Sequence, residues 1–338
     1  IGSVACPTVP VTTTGTATLL AVICSRALVI TDHNRYVCCP TTASVEPGPA
    51  RSPRVGLVVA IGAISTGAIL VRWSAAPAAV AAFYRVLFTT LPLAVVAIWR
   101  YRDAFGAIHR RDAIGAALAG LALAIHFASW FESLAWTSVA ASVTLVQSQP
   151  LFVALGSWLF LRERLTRPII GGILLAVGGV VVISVGDLLG GSVGSNPALG
   201  NALALIGALA AAGYVLAGRS LRQRVPLIPY VVVVYTVAAA GLLVIALLDG
   251  APLLGYPTRE WLLFVGLAVG PGLLGHTVIN WALGHLNSSL VSVSLLGEPV
   301  GAAILAAVLL DEQPALATIV GGGIVLAGIV LTARGATG

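Results

Sequence analysis

One carboxylate, Glu298, stands deep inside a long apolar stretch of the sequence and is followed directly by Pro299. A carboxylate near the middle of a bilayer is costly unless it is protonated or partnered. Pro299 cannot donate a backbone hydrogen bond, so it frees a carbonyl group and favours a kink beside the carboxylate. Two interpretations remain for Glu298: a proton carrier, or a protonated group held in a hydrogen bond between helices.

Arg85 is the second charged residue inside an apolar stretch, about seven residues or ~10 Å from its start. The long side chain of an arginine at that depth can extend to the membrane surface. Alternatively, Arg85 faces a cavity and binds an anionic substrate or pairs with a carboxylate. The residue type alone leaves both interpretations open.

Two further polar groups have helical spacing. His126 and Trp130 are four residues apart, as are His276 and Asn280, which are followed by Trp281. Residues i and i+4 share one face of a helix. Polar side chains in membrane helices usually face the interior of the bundle. We therefore predict that these residues line a substrate-binding cavity.

The elements that position these residues follow from composition. Of 338 residues, 58% are hydrophobic and 9% are charged, and the mean hydropathy is +1.02, whereas soluble domains carry about 25% charged residues. The sequence contains apolar runs of about 19 to 24 residues, each of which crosses ~30 Å of hydrocarbon as a helix. The sequence predicts an all-α membrane protein with ten transmembrane helices, at 55–73, 78–99, 113–131, 138–161, 168–186, 198–217, 227–248, 261–283, 288–310 and 315–333.

The arginines between these runs indicate an orientation, since basic residues accumulate on the cytoplasmic side. With a cytoplasmic N-terminus, two arginines, Arg72 and Arg259, fall outside the cell. The cytoplasmic side receives Arg51, Arg54, Arg100, Arg102, Arg110, Arg111, Arg162, Arg164, Arg167, Arg219, Arg222, Arg224 and Arg334. This bias predicts a multi-pass protein of the cell (inner) membrane with both termini in the cytoplasm. Because the arginines are dispersed, the net charge of +6 does not indicate nucleic-acid binding.

The chain contains an internal repeat. Residues 138–182 and 287–331 align without a gap at an offset of 149, which places Pro150 on Pro299 and Gln149 on Glu298. The same offset aligns Leu161 with Leu310, Glu163 with Glu312, Gly172 with Gly321 and Gly179 with Gly328. If each repeat comprises five of the ten predicted helices, an odd number, the second repeat enters the membrane inverted relative to the first. We predict kinks at Pro150 and Pro299, substrate binding by Gln149, and packing of the two glycine-rich helices against each other.

The predicted organisation has five parts. Residues 1–54 form an N-terminal extension, predicted to be disordered, and residues 334–338 form a tail. The first five-helix repeat covers 55–186, a linker covers 187–197, and the second repeat covers 198–333. Glu163 and Glu312, at the ends of the fourth and ninth helices, are predicted to cap or pair locally.

The stretch from Ser142 to Pro150 leads to Glu163, and its echo from Leu295 to Pro299 leads to Glu312. These segments, with Arg85 inside Phe83 to Phe88, resemble the EamA-like family of the drug/metabolite transporter superfamily. The resemblance covers about residues 55–333. It implies ten helices in two five-helix repeats, a central cavity, and movement of a metabolite.

The sequence therefore predicts a secondary-active transporter of a small metabolite or drug-like solute that works by alternating access, with Glu298 as the proton-coupling residue if protons drive it. A channel or facilitative pore is the alternative, and a membrane-embedded enzyme is a weaker one, since no HExxH, P-loop or clustered aspartate motif is present. No catalytic residue, metal or cofactor is predicted. The predicted partners are a small-molecule substrate and the lipid bilayer. The four cysteines, Cys6, Cys24, Cys38 and Cys39, match no zinc spacing.

Overall fold

The computed structural model describes residues 53–106, 108–161, 165–186, 194–222, 224–275, 278 and 295–336. Throughout these residues every regular element is a helix. Residues 1–52 of the predicted N-terminal extension and most of the predicted linker lie outside the described residues, as does Glu163.

The part of the chain before residue 187 contains seven described helices. They are α1 (Pro53–Trp73), α2 (Ala78–Arg100), α3 (Arg102–Gly106), α4 (Arg110–Trp136), α5 (Val139–Val146), α6 (Gln149–Leu161) and α7 (Arg167–Gly186). The part after residue 196 contains α8 (Pro197–Leu221), α9 (Leu227–Leu248), α10 (Thr258–Leu267), a π-helical segment (Ala268–Gly275), α11 (Gly297–Leu309) and α12 (Leu316–Ala336).

Eight helical segments within the described residues are long and apolar enough to cross a membrane. They coincide with the first seven and the tenth of the predicted helices. Large apolar side chains such as Trp99, Phe160 and Leu248 lie exposed on their outer faces, as lipid contact requires. The predicted all-helical membrane architecture is confirmed. The eighth and ninth predicted helices are described only in part, as Thr258–Gly275 and Gly297–Leu309.

Prolines interrupt two of the predicted helices. The run at 138–161 is two helices, α5 and α6, which separate at Gln147 and Ser148, directly before Pro150. Pro271 lies inside the π-helical segment, where widening of the helix accommodates its missing N–H. Pro299 falls in the first turn of α11, a position at which a helix tolerates proline.

The glycine-rich helices α7 and α12 pack backbone against backbone, as predicted. A Cβ atom on Gly172 would lie 2.6 Å from the carbonyl oxygen of Gly328, and one on Gly179 would lie 2.6 Å from that of Gly321. Because the earlier glycine of α7 meets the later glycine of α12, the two helices run antiparallel. Only glycine permits this approach, and small residues at such contacts are typical of membrane helices.

Two carboxylates at helix starts hold the turns between other helices. Asp112, in the first turn of α4, accepts from Arg224 Nε at 3.0 Å and Nη2 at 2.9 Å, in the turn between α8 and α9. Glu260, in the first turn of α10, accepts from Ser74 Oγ at 2.6 Å and from the Ala75 N–H at 3.1 Å, in the turn between α1 and α2. A carboxylate at a helix start also interacts favourably with the helix dipole.

A third carboxylate, Glu312, joins four helices at the end of α11. It accepts from the Val139 N–H at 2.6 Å, at the start of α5, and pairs with Arg72 at 3.3 Å. Arg72 also donates to the Leu134 carbonyl oxygen at 2.6 Å, near the end of α4. Glu312 therefore caps the start of α5, and the prediction that it caps or pairs locally is wrong, because its partners belong to the first half of the chain.

The glycine contact predicts a local energetic cost. In Gly179→Ala the new methyl group meets the Gly321 carbonyl oxygen, so α7 and α12 must separate, and we expect a loss of about 1–3 kcal/mol in the free energy of unfolding. The matched control is Gly178→Ala, where no atom lies within 4 Å of the added Cβ. Thermal unfolding of the detergent-purified protein would measure both. Equal melting temperatures for the two variants would contradict the close contact.

Removal of Arg72, the partner of Glu312, is expected to lower the free energy of unfolding by an amount that depends on pH. Burial raises the pKa of Glu312, while the Val139 N–H and Arg72 oppose that shift. A raised pKa means that the folded state holds the proton more tightly, so this contribution to stability is lost as pH rises through the raised value. Arg72→Ala raises the pKa of Glu312 further, and we expect a loss of about 1.5–3 kcal/mol at pH 8 and a smaller loss at pH 5.

The control for this experiment is Arg259→Ala. Arg259 also pairs with a buried glutamate, Glu260 at 3.5 Å, but its side chain is 62% exposed. An exposed pair contributes about 0–1 kcal/mol, so this variant should unfold nearly as the parent protein does at both pH values. Chemical denaturation at pH 5 and pH 8 gives the four differences, and an Arg72→Ala loss that does not change with pH would contradict the prediction.

Candidate functional site

A cavity of about 290 Å³ lies among the helices and is lined by residues from both parts of the chain. The broken helix contributes Val146, Gln147 and Gln149, and the π-helical segment contributes Pro271. The other lining residues are Ile64 of α1, Arg85 of α2, Leu123, His126, Phe127 and Trp130 of α4, Ala211, Tyr214 and Val215 of α8, Tyr235 of α9, and Glu298 of α11. Interruptions of regular helix therefore coincide with the walls of the cavity.

The structure brings together five of the residues singled out from the sequence. Arg85, His126, Trp130, Gln149 and Glu298 all line this cavity. The other three predicted binding residues, His276, Asn280 and Trp281, lie outside the described residues.

The two prolines predicted to kink helices stand apart from these five. Pro150 is the second residue of α6, directly after Gln149, and is not among the residues that line the cavity. Pro299 faces a different, more apolar cavity that Thr144 and Gly322 also line. Their place is therefore beside the polar site and not in its wall.

The Glu298 carboxylate has a neutral partner from the other half of the chain. Gln147 Nε2 donates to Glu298 Oε2 at 2.7 Å. Gln147 is the C-cap residue of α5, at the break between α5 and α6, and its own N–H still bonds to the Val143 carbonyl oxygen at 3.1 Å. Gln149 is the residue that the repeat aligns with Glu298, but the hydrogen bond comes from the residue two positions earlier. A glutamine amide offers both a donor and an acceptor, so it can bond a carboxylate or a carboxylic acid.

Arg85 is buried in an aromatic environment. Its side chain does not reach the protein surface, since the residue is only 4% exposed. The guanidinium carbon lies 4.4 Å from the centre of the Phe127 ring and 5.6 Å from those of Trp130 and Phe131. Within the described residues, Arg85 Nη1 has no hydrogen-bond partner. Aromatic faces attract a cation but accept hydrogen bonds poorly.

His126 and Trp130 form the wall next to Arg85. The His126 Nδ1 atom lies 2.9 Å from the Gly207 carbonyl oxygen, so Nδ1 carries the proton and, in the neutral ring, Nε2 remains an acceptor. The His126 and Trp130 rings stack with their centres 5.9 Å apart. Trp130 Nε1 is buried without a partner among the described residues. This wall thus presents one buried donor without a partner among the described residues.

Of the lining residues that the sequence did not predict, four are aromatic or polar: Phe127, Gln147, Tyr214 and Tyr235. Gln147 lies in the same short segment as Gln149, so its polar side chain was a usable signal. Tyrosine and phenylalanine are common on lipid-facing and core surfaces alike, so their types carried no signal. Together the lining offers one cation, one carboxylate, one imidazole and aromatic walls, which suits binding and proton exchange.

A multi-pass helical protein with a polar cavity between its halves has the architecture of a membrane transporter. Comparison with known proteins identifies the family of transporters. The model of the EamA-like transporter family matches residues 55–185 and again residues 198–334. The chain belongs to the EamA-like transporter family.

Curated relatives agree with this assignment. The chain is 28% identical over 258 residues to the pseudopaline exporter CntI from two strains of Pseudomonas aeruginosa. The aligned part covers 76% of this chain and 87% of the relative. It is 32% identical over 206 residues to an uncharacterized transporter of Archaeoglobus fulgidus, which covers 59% of this chain and 68% of that protein. A protein of known crystal structure shares the fold, with a TM-score of 0.57 and 19% identity over 84% of this chain and 97% of the other.

Proposed function

We propose that this protein is a secondary-active transporter that moves a small metabolite through the cavity by alternating access and exchanges it for a proton at Glu298. The observation that carries the proposal is the hydrogen bond between Glu298 and Gln147 inside a cavity that both matched segments line. A carboxylate whose partner sits in the other half of the chain is affected by any movement of one half against the other.

The packing of α7 against α12 supports an arrangement of two inverted repeats, at 55–186 and 198–333. The offset of 149 aligns Gly172 with Gly321 and Gly179 with Gly328. Exchanging the two repeats therefore turns the contact of Gly172 with Gly328 into that of Gly321 with Gly179, which is the second observed contact. A contact set that is unchanged by this exchange, between antiparallel helices, is what a twofold axis in the membrane plane produces. Transporters with such repeats alternate access by exchanging the conformations of the halves.

Proton exchange follows from the chemistry of the pair. Burial disfavours a charged carboxylate, and Gln147 cannot neutralise it because an amide carries no net charge. By turning its amide, Gln147 can serve the protonated and the ionised acid equally well. Glu298 is thus able to release its proton when water enters the cavity and to regain it when the cavity closes.

The direction and location of transport extend the same proposal. The Pseudomonas relative is named an exporter, which makes export the first direction to test. The arginine bias supports insertion in the cell membrane with both termini in the cytoplasm.

Transport in reconstituted vesicles tests the role of Glu298. Vesicles loaded with a pH-sensitive dye would be screened with a panel of small metabolites, and each hit assayed for accumulation driven by a pH gradient and for exchange at equal concentrations. In Glu298→Gln we expect gradient-driven accumulation and proton movement to fall at least tenfold, because titration is removed, while exchange persists. Retention of full proton-driven accumulation would exclude Glu298 as the coupling residue.

The matched control is Glu132→Gln. Glu132 accepts from Trp136 Nε1 at 2.8 Å near the end of α4 and does not line the cavity, so this variant should keep both activities. Non-saturable equilibration of solute by the parent protein, without proton movement, would instead indicate a facilitative pore.

Membrane topology is tested independently by labelling single cysteines. In a protein whose four native cysteines are replaced by serine, Asp103→Cys in the short helix α3 and Leu254→Cys between α9 and α10 each place one thiol at an exposed position. An impermeant maleimide should label Leu254→Cys in intact cells and Asp103→Cys only after the membrane is opened. Labelling of both from the same side would refute the proposed topology.

A further inference from the structure

Two hydrogen-bond donors that line the cavity have no acceptor among the residues that the structure describes. Arg85 and Trp130 are 4% and 5% exposed, and both line the cavity. Among the described residues, three buried side-chain atoms lack a partner: Arg85 Nη1, Trp130 Nε1 and Tyr230 Oη. Two of the three therefore fall in one cavity. Because an unsatisfied buried donor is destabilising, their convergence on an open space points to a ligand that supplies the acceptor.

We propose that the transported substrate carries a carboxylate, which accepts hydrogen bonds from Arg85 Nη1 and Trp130 Nε1. This inference rests on the proposed transport function and names the substrate class. The guanidinium carbon lies 5.6 Å from the centre of the Trp130 ring. The two donors therefore belong to neighbouring groups of one cavity, and each oxygen of a carboxylate accepts hydrogen bonds independently.

Charge explains why the ligand is an anion rather than water. The Arg85 guanidinium packs over the Phe127 ring, which attracts the cation and leaves its net charge in place. Glu298, the one carboxylate that lines the described cavity, already accepts a hydrogen bond from Gln147. A substrate carboxylate supplies both the hydrogen-bond acceptors and the opposite charge that a buried cation requires.

Charge balance also selects a monocarboxylate over a phosphate ester. Within the described residues Arg85 is the only arginine that lines the cavity. Arg85 supplies a single positive charge, which one carboxylate can pair with, whereas a dianion brings a second buried charge that no other described lining cation offsets. The rest of the lining is largely apolar or aromatic, including Leu123, Phe127 and Tyr214. The substrate is accordingly a small monocarboxylate with an aliphatic or aromatic body.

Ligand binding to the purified full-length protein tests this inference without any gradient. The probes are butyrate, benzoate and phenylacetate, each paired with its neutral amide, and phenyl phosphate as the dianion. Affinities come from the rise in melting temperature with probe concentration. We expect at least one carboxylate to bind at least tenfold more tightly than its amide and than phenyl phosphate.

Substitution of the donors gives the second arm. Trp130→Phe keeps an aromatic ring but removes the N–H, and should weaken carboxylate binding about tenfold or more while leaving amide binding unchanged. Arg85→Gln should abolish the preference for the carboxylate. Trp99→Phe, a change at a side chain that is 79% exposed, is the matched control and should bind as the parent protein does.

Three outcomes would overturn the inference: no melting shift with any carboxylate, equal affinity for a carboxylate and its amide, or tighter binding of phenyl phosphate. An unchanged carboxylate preference in a folded Trp130→Phe variant removes the indole from the site. These results are separable from the transport proposal, because loss of proton-driven accumulation in Glu298→Gln concerns coupling and does not depend on which probe binds.

Discussion

The hydrocarbon of a bilayer offers no hydrogen bonds, and this constraint shapes the interior of the protein. Hydroxyl side chains inside the helices bond to carbonyl oxygens one turn earlier, as Ser65 does to Ile61, Thr90 to Val86 and Ser129 to Ile125. Such bonds give these hydroxyl groups an acceptor within their own helix. Longer polar side chains cannot do this. Arg85, His126 and Glu298 instead lie where several helices adjoin, and there they line the cavity.

This constraint also explains what the sequence could and could not predict. Arg85, His126 and Glu298 are so rare as residue types inside apolar segments that their convergence follows from the exclusion of polar groups by lipid. The hydrogen bond of Glu298 did not follow, because the repeat pairs it with Gln149. Its partner is instead Gln147, the C-cap residue of α5. Helix continuity was assumed for residues 138–161, and a proline changes side-chain direction in a way that spacing alone does not reveal.

Contacts between distant segments were the least predictable feature. Glu312 was expected to bond near its own helix, but Arg72 and the Val139 N–H are its partners. The Asp112 and Glu260 contacts likewise join a helix start to a remote turn. Ala75 and Arg224 differ by 149 in number, and Asp112 and Glu260 by 148, so similar contacts recur at nearly equivalent places. Asp112 accepts from an arginine, whereas Glu260 accepts from a hydroxyl group and a backbone N–H. Because the donors differ in type, comparison of the two sequence segments does not reveal that the contacts are similar.

The glycine faces of α7 and α12 have a consequence for biosynthesis. Gly172 emerges from the ribosome roughly 150 residues before Gly328, its contact in the finished protein. At about 5–20 residues per second, that interval lasts about 8–30 s. During it, α7 presents a bare strip of backbone to lipid or to whatever protein assists its insertion. Packing of α12 covers this strip, so a chain truncated before α12 would leave the glycine face of α7 exposed.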